Sequence, residues 1–227
     1  DAELSEAIDF ANYYAQSIAE ITRTEELDAV VFEPHRVVAV TPPWNFPVAI
    51  AAGGVLAALA AGSSVIIKPA PQVANCVLAM VQALWQAGVS KDVLQIAFVP
   101  DNEVGLSLVG HKDVDAVILT GSYETAMLFK SVKPDLQLAA ETSGKNALVI
   151  TPNADLDIAA GDLAKSAFGH AGQKCSAASL GILVGSVYKN KQFLAQLVDA
   201  VESMKVGYGI QPQASVGPLI EEPSEKL

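Results

Sequence analysis

Apolar positions follow two alternating patterns along the chain. Short runs rich in Val, Ile and Leu, such as residues 37–40 and 114–119, have the length of strands and end at proline, glycine or polar residues. Between them lie longer stretches, such as residues 48–61 and 73–88, in which apolar residues recur at helical spacing. Strand runs this apolar, separated by helices, are typical of a parallel sheet with helices on both faces.

The pattern predicts an α/β fold over the whole chain. The predicted strands are residues 37–40, 64–68, 93–99, 114–119, 136–140, 147–150 and 180–184. The predicted helices are residues 5–21, 48–61, 73–88, 104–109, 124–131, 156–168 and 191–206. Because the alternation restarts after Gly144, we expect two domains, residues 1–144 and 145–227.

The composition excludes several kinds of protein. With 51% hydrophobic and 17% charged residues, the 227-residue chain can bury a sizeable core. A net charge of −11 argues against a nucleic-acid partner, which requires clustered Lys and Arg. The longest apolar run is too short to cross a bilayer, and we expect no signal peptide. Because the chain does not begin with Met, we expect it to be a fragment of a longer protein.

The cysteines differ in their surroundings. Two cysteines and three histidines give no spacing typical of a metal site, and so we expect no metal. Such sparse cysteine use fits a reducing compartment, which favours a cytoplasmic protein. Cys76 falls inside an apolar helix, where we interpret it as buried and structural. Cys175 lies instead in a run of small and polar residues, 169–177, which is not a core pattern.

Cys175 is the candidate nucleophile. A free thiol has a pKa of about 8.5 and is only slightly ionised at neutral pH, but its thiolate is a strong nucleophile towards an aldehyde carbon. The small neighbours Gly172, Ser176 and Ala177 would let a substrate approach the backbone. A hydrolase pair between Cys175 and His170 is an alternative that the sequence leaves open.

Two further side chains suit the same chemistry. Glu141 follows a predicted strand, so its carboxylate can activate a water that hydrolyses a thioester, unless it is a surface carboxylate or a helix cap. The Asn45 carboxamide lies between Trp44 and Phe46, and it can stabilise an oxyanion together with the backbone N–H of Cys175. The alternatives are turn formation by Asn45 and core packing by the two aromatic residues.

Candidate nucleotide contacts fall at the ends of predicted strands. Lys68 could bind ribose hydroxyls, although a solvated lysine is the alternative. Gly121 and Ser122 join a strand to a helix, and such a turn presents backbone N–H groups to a pyrophosphate. Parallel sheets bind their ligands at the carboxyl ends of the strands, where Lys68, Gly121 and Glu141 are all expected.

These residues belong to motifs that follow one another in a fixed order. The motifs are Pro43-Trp44-Asn45-Phe46-Pro47, Lys68-Pro69-Ala70, Thr120-Gly121-Ser122, Glu141 with Gly144-Lys145-Asn146, and Gly172-Gln173 followed by Cys175. With them the chain resembles the aldehyde dehydrogenase superfamily over essentially its whole length. It looks most like the 1-pyrroline-5-carboxylate (L-glutamate γ-semialdehyde) dehydrogenases, and in particular the dehydrogenase module of bifunctional proline-catabolic enzymes. Residues 166–168 with residues 171–177, and Thr125-Ala126, carry that closer resemblance.

The resemblance implies oxidation of a small-molecule aldehyde by NAD(P)+. Cys175 would form a thiohemiacetal whose oxyanion is held by Asn45, hydride transfer would leave a thioester, and Glu141 would activate water to release L-glutamate. The implied fold is a Rossmann-like parallel sheet in a nucleotide-binding domain, residues 1–144, followed by the first part of an α/β catalytic domain, residues 145–227.

The resemblance also implies the cofactor contacts. Lys68 would bind the adenosine ribose, Gly121 and Ser122 the pyrophosphate, and Gly105 would pack near the adenine side. We expect Trp44 to be a further cofactor contact.

The chain departs from the family pattern in three ways. Pro71 stands where NAD-using members usually have a glutamate that binds ribose, so NAD is expected while NADP stays open. Thr142-Ser143 replaces the usual Leu-Gly or Thr-Gly. The match ends about halfway through a typical member, and we therefore expect the isolated fragment to be inactive. We expect the parent protein to be a homo-oligomer. The sequence leaves open whether the parent also contains a fused proline dehydrogenase module.

Three alternative functions remain. One is an aldehyde dehydrogenase with another substrate, and one is a relative that transfers the acyl group to CoA or phosphate. Such acyl-transferring relatives usually lack the hydrolytic glutamate, so Glu141 disfavours them. The third is a non-catalytic fragment that binds nucleotide.

Overall fold

The apolar runs in the first part of the chain pair as one parallel sheet. The computed structural model describes residues 2–28 and 30–223, and in this described part five strands form the sheet in the order β3-β2-β1-β4-β5. The strands are β1 (Val37–Thr41), β2 (Ser64–Ile67), β3 (Leu94–Ile96), β4 (Ala116–Gly121) and β5 (Gln137–Thr142). The predicted α/β fold with a Rossmann-like parallel sheet is confirmed, since this strand order is that of a doubly wound sheet.

Both faces of this sheet are covered by helices. The helices are α1 (Ala2–Asp28), α2 (Ala49–Ala60), α3 (Ala74–Gln86), α4 (Glu103–Val109) and α5 (Tyr123–Val132). Val40 of β1 belongs to one buried cluster with Val55 of α2 and Val77 of α3. The side chain directly before it in the strand, Ala39, belongs to another cluster with Phe129 of α5. Successive strand side chains point to opposite faces, so a strand buried on both faces must be apolar throughout.

The connections change direction between β1 and β4. The chain passes from β1 to β2 to β3 on one side of the sheet, and then crosses back to place β4 against the other edge of β1. In sheets of this kind, ligands bind outside the carboxyl ends of the strands where the order reverses.

An ion pair joins the starts of the two central strands. Arg36, just before β1, donates to Asp115, just before β4, from its backbone N (2.7 Å) and from its guanidinium (2.8 Å). These hydrogen bonds lower the pKa of Asp115 to about 2. The hydrogen bonds thus favour the ionised carboxylate, and the pair ties the two strands at their amino ends.

Helix α1 packs on α2 and caps it. The Glu3 carboxylate accepts hydrogen bonds from the backbone N–H groups of Val48 and Ala49, both at 2.9 Å. Further along, the Phe10 ring lies so close to Gly53 that a Cβ there would be 3.2 Å from it. A carboxylate at a helix N-terminus satisfies free donors and opposes the positive end of the dipole. Glu3 thereby fixes the start of α2 and the end of the loop that contains Asn45.

The chain packs as two compact units, Asp1–Thr142 and Ser143–Leu227. In the described part of the second unit, two strands pair in parallel and two α-helices follow them in alternation. These elements are β6 (Asn146–Ile150), α6 (Leu156–Phe168), β7 (Ala178–Leu183) and α7 (Lys191–Glu202). Ile150, Leu163 and Phe193 belong to their shared core. Across residues 2–28 and 30–223, no helix is long and apolar enough to span a bilayer.

Three elements differ in length from their prediction by at least four residues. Helix α1 is longer than residues 5–21. Strand β3 is shorter than residues 93–99, because its partner β2 ends at Ile67, opposite Ile96. Helix α7 ends before the predicted residue 206, because the chain beyond it pairs with a distant segment: the backbone N–H of Lys205 donates to the Ser215 hydroxyl.

The prediction that Cys76 is buried is wrong. Cys76 lies on α3 as expected, but its thiol is exposed. The helix turns Val77 and Val81 towards the sheet, and Cys76 stands outside that stripe. The apolar character of the α3 sequence therefore did not predict which of its residues face the sheet and which face the solvent.

Replacing Glu3 tests the capping of α2. Because two backbone donors would lose their acceptor, we expect Glu3→Ala to lower the free energy of unfolding by about 1 kcal/mol. Urea unfolding of the chain, followed by circular dichroism, measures this. Glu6→Ala, which removes an exposed carboxylate from the same helix, is the matched control and should change the stability much less. Equal losses in the two variants would show that the Glu3 contact does not stabilise α2.

Candidate active site

Four predicted site residues lie at the carboxyl ends of strands in the first unit. Asn45 lies in the loop after β1, Lys68 directly follows β2, Ser122 directly follows β4, and Glu141 is the penultimate residue of β5. Because the strands are parallel, these ends share one edge of the sheet, where such sheets bind ligands. Their placement agrees with the sequence pattern, while their catalytic and binding roles stay predictions.

Lys68 is buried and paired. Its ammonium group forms an ion pair with Asp101, which lies in the turn after β3. The Lys68 side chain is only 9% exposed, which excludes the alternative of a solvated surface lysine, whereas the Asp101 side chain is 70% exposed. Burying a charge is costly unless it is paired, so Asp101 is the group that allows the ammonium to lie here.

Gly105 lies beside this pair. A Cβ at Gly105 would be 2.6 Å from the carbonyl oxygen of Pro100 and 3.2 Å from Cε of Lys68. Any larger residue would displace the loop or the lysine, so the absence of a side chain lets α4 pack closely here. The predicted contact of Gly105 with the adenine side of a cofactor stays a prediction.

Gly121 and Ser122 form the predicted turn from strand to helix. Gly121 ends β4, and Ser122 is the N-cap of α5, where its hydroxyl oxygen accepts a hydrogen bond from the N–H of Thr125 at 3.0 Å. A capped helix N-terminus at a strand end suits a pyrophosphate. Glu124, exposed in the first turn of the same helix, opposes an anion there.

The loop after β1 contains Trp44 and Asn45. Trp44 is partly buried and packs against the cluster that contains Val55, so it contributes to the core as the alternative interpretation held. Asn45 is half-buried. Because the far end of this loop is fixed by Glu3, the carboxamide projects from a segment that is anchored on both sides.

Glu141 projects from a strand and not from a helix end. It pairs in register with Thr120 of β4, and its side chain is exposed. This placement excludes the helix-cap alternative. Immediately after β5, Ser143 and Gly144 adopt positive φ angles of 58° and 156°.

A left-handed turn precedes Cys175. His170, Ala171 and Gly172 have φ angles of 58°, 55° and 70°, which only glycine adopts without strain. Each of the two non-glycine residues costs on the order of 1–2 kcal/mol in this conformation. The turn follows Gly169, the C-cap of α6, and leads into the loop, in which the Cys175 thiol is free and exposed.

Asn146 holds the backbone of this loop. Its Nδ2 donates to the carbonyl oxygens of Cys175 at 2.5 Å and of Ala177 at 3.1 Å. Gly144 leaves space for the same carbonyl, because a Cβ at that position would overlap the Cys175 oxygen. The nucleophile candidate is therefore placed by contacts to its own main chain.

Gln173 ties the loop to a segment further along the chain. Its Nε2 donates to the carbonyl oxygen of Pro218 at 3.3 Å, and its Oε1 accepts from the N–H of Ile220 at 2.9 Å. The Gln173 side-chain amide thus donates to one backbone group and accepts from another in residues 218–220. These two hydrogen bonds fix the orientation of the loop.

The predicted catalytic residues are divided between the two units. Asn45 and Glu141 belong to the first, and Cys175 belongs to the second. An exposed thiol, an exposed carboxylate and a carboxamide are groups that suit covalent catalysis on a carbonyl. Among the described residues, no cluster of three or more His, Cys, Asp or Glu side chains could hold a metal ion.

Sequence reasoning missed three residues of these sites. Asp101 was not assigned any role, although it follows the strand next to the one that ends at Lys68. Asn146 and Gln173 were noticed as parts of motifs, but not as the side chains that hold the Cys175 loop. The sequence signal that could have identified these residues is the position of a polar side chain close to a strand end or close to the nucleophile.

Comparisons with known proteins identify relatives of the whole chain. The family model described as the aldehyde dehydrogenase family matches residues 1–226. The 1-pyrroline-5-carboxylate dehydrogenase of Bacillus licheniformis is 36% identical, over 99% of this chain and 46% of the relative. The structure of proline utilization A from Corynebacterium freiburgense is 50% identical, with a TM-score of 0.91, over 100% of this chain and 23% of that one.

A third relative bears on the cofactor. A structure of 1-pyrroline-5-carboxylate dehydrogenase from Thermus with bound NAD is 30% identical, with a TM-score of 0.85, over 97% of this chain and 45% of that one. The chain thus spans about half the length of the curated relatives that it matches.

Replacing Asn146 tests how the Cys175 loop is held. Asn146→Ala removes two hydrogen bonds, so we expect about 1 kcal/mol less stability and faster amide exchange in residues 174–177. Hydrogen exchange followed by mass spectrometry measures the loop directly. Asn153→Ala, at an exposed asparagine of the same unit, is the control. Unchanged exchange in the loop would contradict a positioning role for Asn146.

Proposed function

The chain belongs to the aldehyde dehydrogenase family, and on that basis we propose that it forms the cofactor-binding and nucleophile-bearing part of an L-glutamate γ-semialdehyde dehydrogenase. The observation that carries the proposal is Cys175, an exposed thiol on a loop whose backbone is held by Asn146. Its relatives named as 1-pyrroline-5-carboxylate dehydrogenases support the choice of substrate.

The first chemical step is addition to the aldehyde. The Cys175 thiolate attacks the carbonyl carbon, a C–S bond forms, and the π electrons move to the oxygen. The Asn45 carboxamide and the Cys175 backbone N–H donate to that oxyanion, which stabilises charge that is absent from the free aldehyde. The product of this step is a thiohemiacetal on Cys175.

The second stage oxidises and releases the acyl group. Bound NAD(P)+ supplies the acceptor for the hydride that leaves the former aldehyde carbon. The Cys175 thioester that remains is then attacked by water, whose proton Glu141 accepts. The C–S bond breaks, the thiolate returns to Cys175, and the carboxylic acid, L-glutamate, is released.

The residues of the first unit fit a dinucleotide. The buried Lys68 ammonium has donors for ribose hydroxyls, and the helix N-terminus at the Gly121–Ser122 turn would bind the pyrophosphate. Gly105 keeps the approach to Lys68 free of a side chain, and Trp44 lies in the loop that follows β1. We accordingly assign residues 1–144 to nucleotide binding and residues 145–227 to the first part of the catalytic domain.

The choice of NAD over NADP is part of this proposal. The Thermus relative with bound NAD supports it. Cytoplasmic localisation, homo-oligomerisation and fusion to a proline dehydrogenase module are proposed for the parent protein. The similarity to proline utilization A proteins favours the fusion. Inactivity of the isolated 227-residue chain also remains a prediction.

One other candidate function has support. Oxidation of a different aldehyde would use the same Cys175, Glu141 and Asn45, since their proposed roles involve only the carbonyl group of the substrate and the attacking water. A substrate panel that compares glutamate semialdehyde with simple aldehydes, each with NAD+ and NADP+, separates the two candidates.

Replacing Cys175 tests the proposed mechanism. In the full-length gene product that contains this sequence, we expect Cys175→Ala to lower the rate of glutamate semialdehyde oxidation by at least about 10⁴-fold. The dissociation constant for NAD+ should stay unchanged, because the cofactor contacts lie on other residues. Cys76→Ser, at the other exposed thiol, is the control and should retain full activity. Full activity in Cys175→Ala would disprove the mechanism.

A further inference from the structure

The ion pair between Lys68 and Asp101 is unequally exposed. The lysine side chain is 9% exposed, while the aspartate side chain is 70% exposed. Oδ1 of Asp101 contacts the ammonium group, and most of the carboxylate remains open to the solvent at the ligand-binding edge of the sheet. Asp101 is therefore a negatively charged acceptor at the same edge position as the candidate ribose contact.

A ribose needs an acceptor as well as a donor. The lysine ammonium group has donors and no acceptor lone pair, so it can receive only the oxygen of a ribose hydroxyl. The proton of a hydroxyl requires an acceptor close by. Carboxylates serve this purpose for the ribose 2′-hydroxyl of NAD in dinucleotide-binding sheets.

The surrounding residues leave this role to Asp101. Pro71, in the short helical turn after β2, has neither a side-chain acceptor nor an N–H. Asn102, next to Asp101, uses its side-chain oxygen to cap α4 by accepting from the N–H of Val104 at 2.9 Å. Glu103 lies in the first turn of α4, whereas Asp101 is the carboxylate in contact with Lys68.

Packing of Gly105 in α4 against the Lys68 side chain fixes the position of the ion pair. Gly105 packs against Lys68 so closely that a Cβ would lie 3.2 Å from the lysine Cε. The lysine stem is buried, so the ammonium group cannot swing far from Asp101 without exposing that packing. The carboxylate and the ammonium group are thus presented together.

We propose that Asp101 determines the preference for NAD over NADP, by accepting a hydrogen bond from the adenosine ribose 2′-hydroxyl and by repelling a 2′-phosphate. This inference rests on the proposed dinucleotide function. A 2′-phosphate carries up to two negative charges and would meet a carboxylate whose partner, Lys68, is already neutralised by it. A ribose hydroxyl at the same place would instead meet one donor and one acceptor.

The test is a comparison of dissociation constants for NAD+ and NADP+. Isothermal titration calorimetry on the full-length gene product should show tighter binding of NAD+. Asp101→Asn removes the charge and leaves Lys68 free to contact a phosphate, so the ratio of the NADP+ to the NAD+ dissociation constant should fall at least about tenfold. Asp101→Ser should change the ratio in the same direction, whereas Asp101→Glu should keep the preference for NAD+.

The control and the contrary outcomes separate the proposals. Glu103→Gln makes the same charge change two residues away and should leave the ratio unchanged. If Asp101→Asn and Asp101→Ser leave the ratio as it was, or weaken both cofactors equally, Asp101 only positions Lys68 and the inference is overturned. If the unsubstituted protein binds neither dinucleotide, the proposed function itself fails, and the inference fails with it.

Discussion

Burial of each central strand on both faces is the constraint on which the first unit depends. Neighbouring side chains of one strand, such as Val40 and Ala39, belong to separate buried clusters. Such strands must be apolar throughout, and helical crossovers between them make the strands parallel. Parallel strands bring all their carboxyl ends to one edge, so polar residues can follow each strand without entering the core. Asn45, Lys68 and Glu141 occupy this edge for that reason.

The second unit positions its principal residue by another means. Cys175 does not end a strand but lies in a loop that enters through a strained left-handed turn. The strain of His170 and Ala171 persists because side-chain hydrogen bonds from Asn146 and Gln173 hold the loop around it. The residues with proposed catalytic and cofactor-binding roles are therefore held by a sheet edge in one unit and by a hydrogen-bonded loop in the other.

Local sequence patterns predicted the elements better than the contacts between them. Helix α6 has the bounds that its apolar spacing predicted, because Asp155 caps it and Gly169 ends it. The burial of Lys68 and its pairing with Asp101 were not predictable, since the two residues are distant in sequence and meet only when β2 and β3 pair. The exposure of Cys76 was missed because an apolar helix has more than one apolar face. Roles for Cys175, Glu141 and Asn45 came from motif resemblance, which identifies chemistry without giving geometry.

In the proposed mechanism, Cys175 carries the acyl group and Glu141 activates the water that releases it. Intact-protein and peptide mass spectrometry of a Glu141→Gln variant of the full-length gene product, mixed with glutamate semialdehyde and NAD+, tests it directly. With these two roles, a glutamyl thioester should accumulate on the peptide that contains Cys175, together with one equivalent of NADH. Steady turnover with no adduct, or an adduct confined to Cys76, would disprove them.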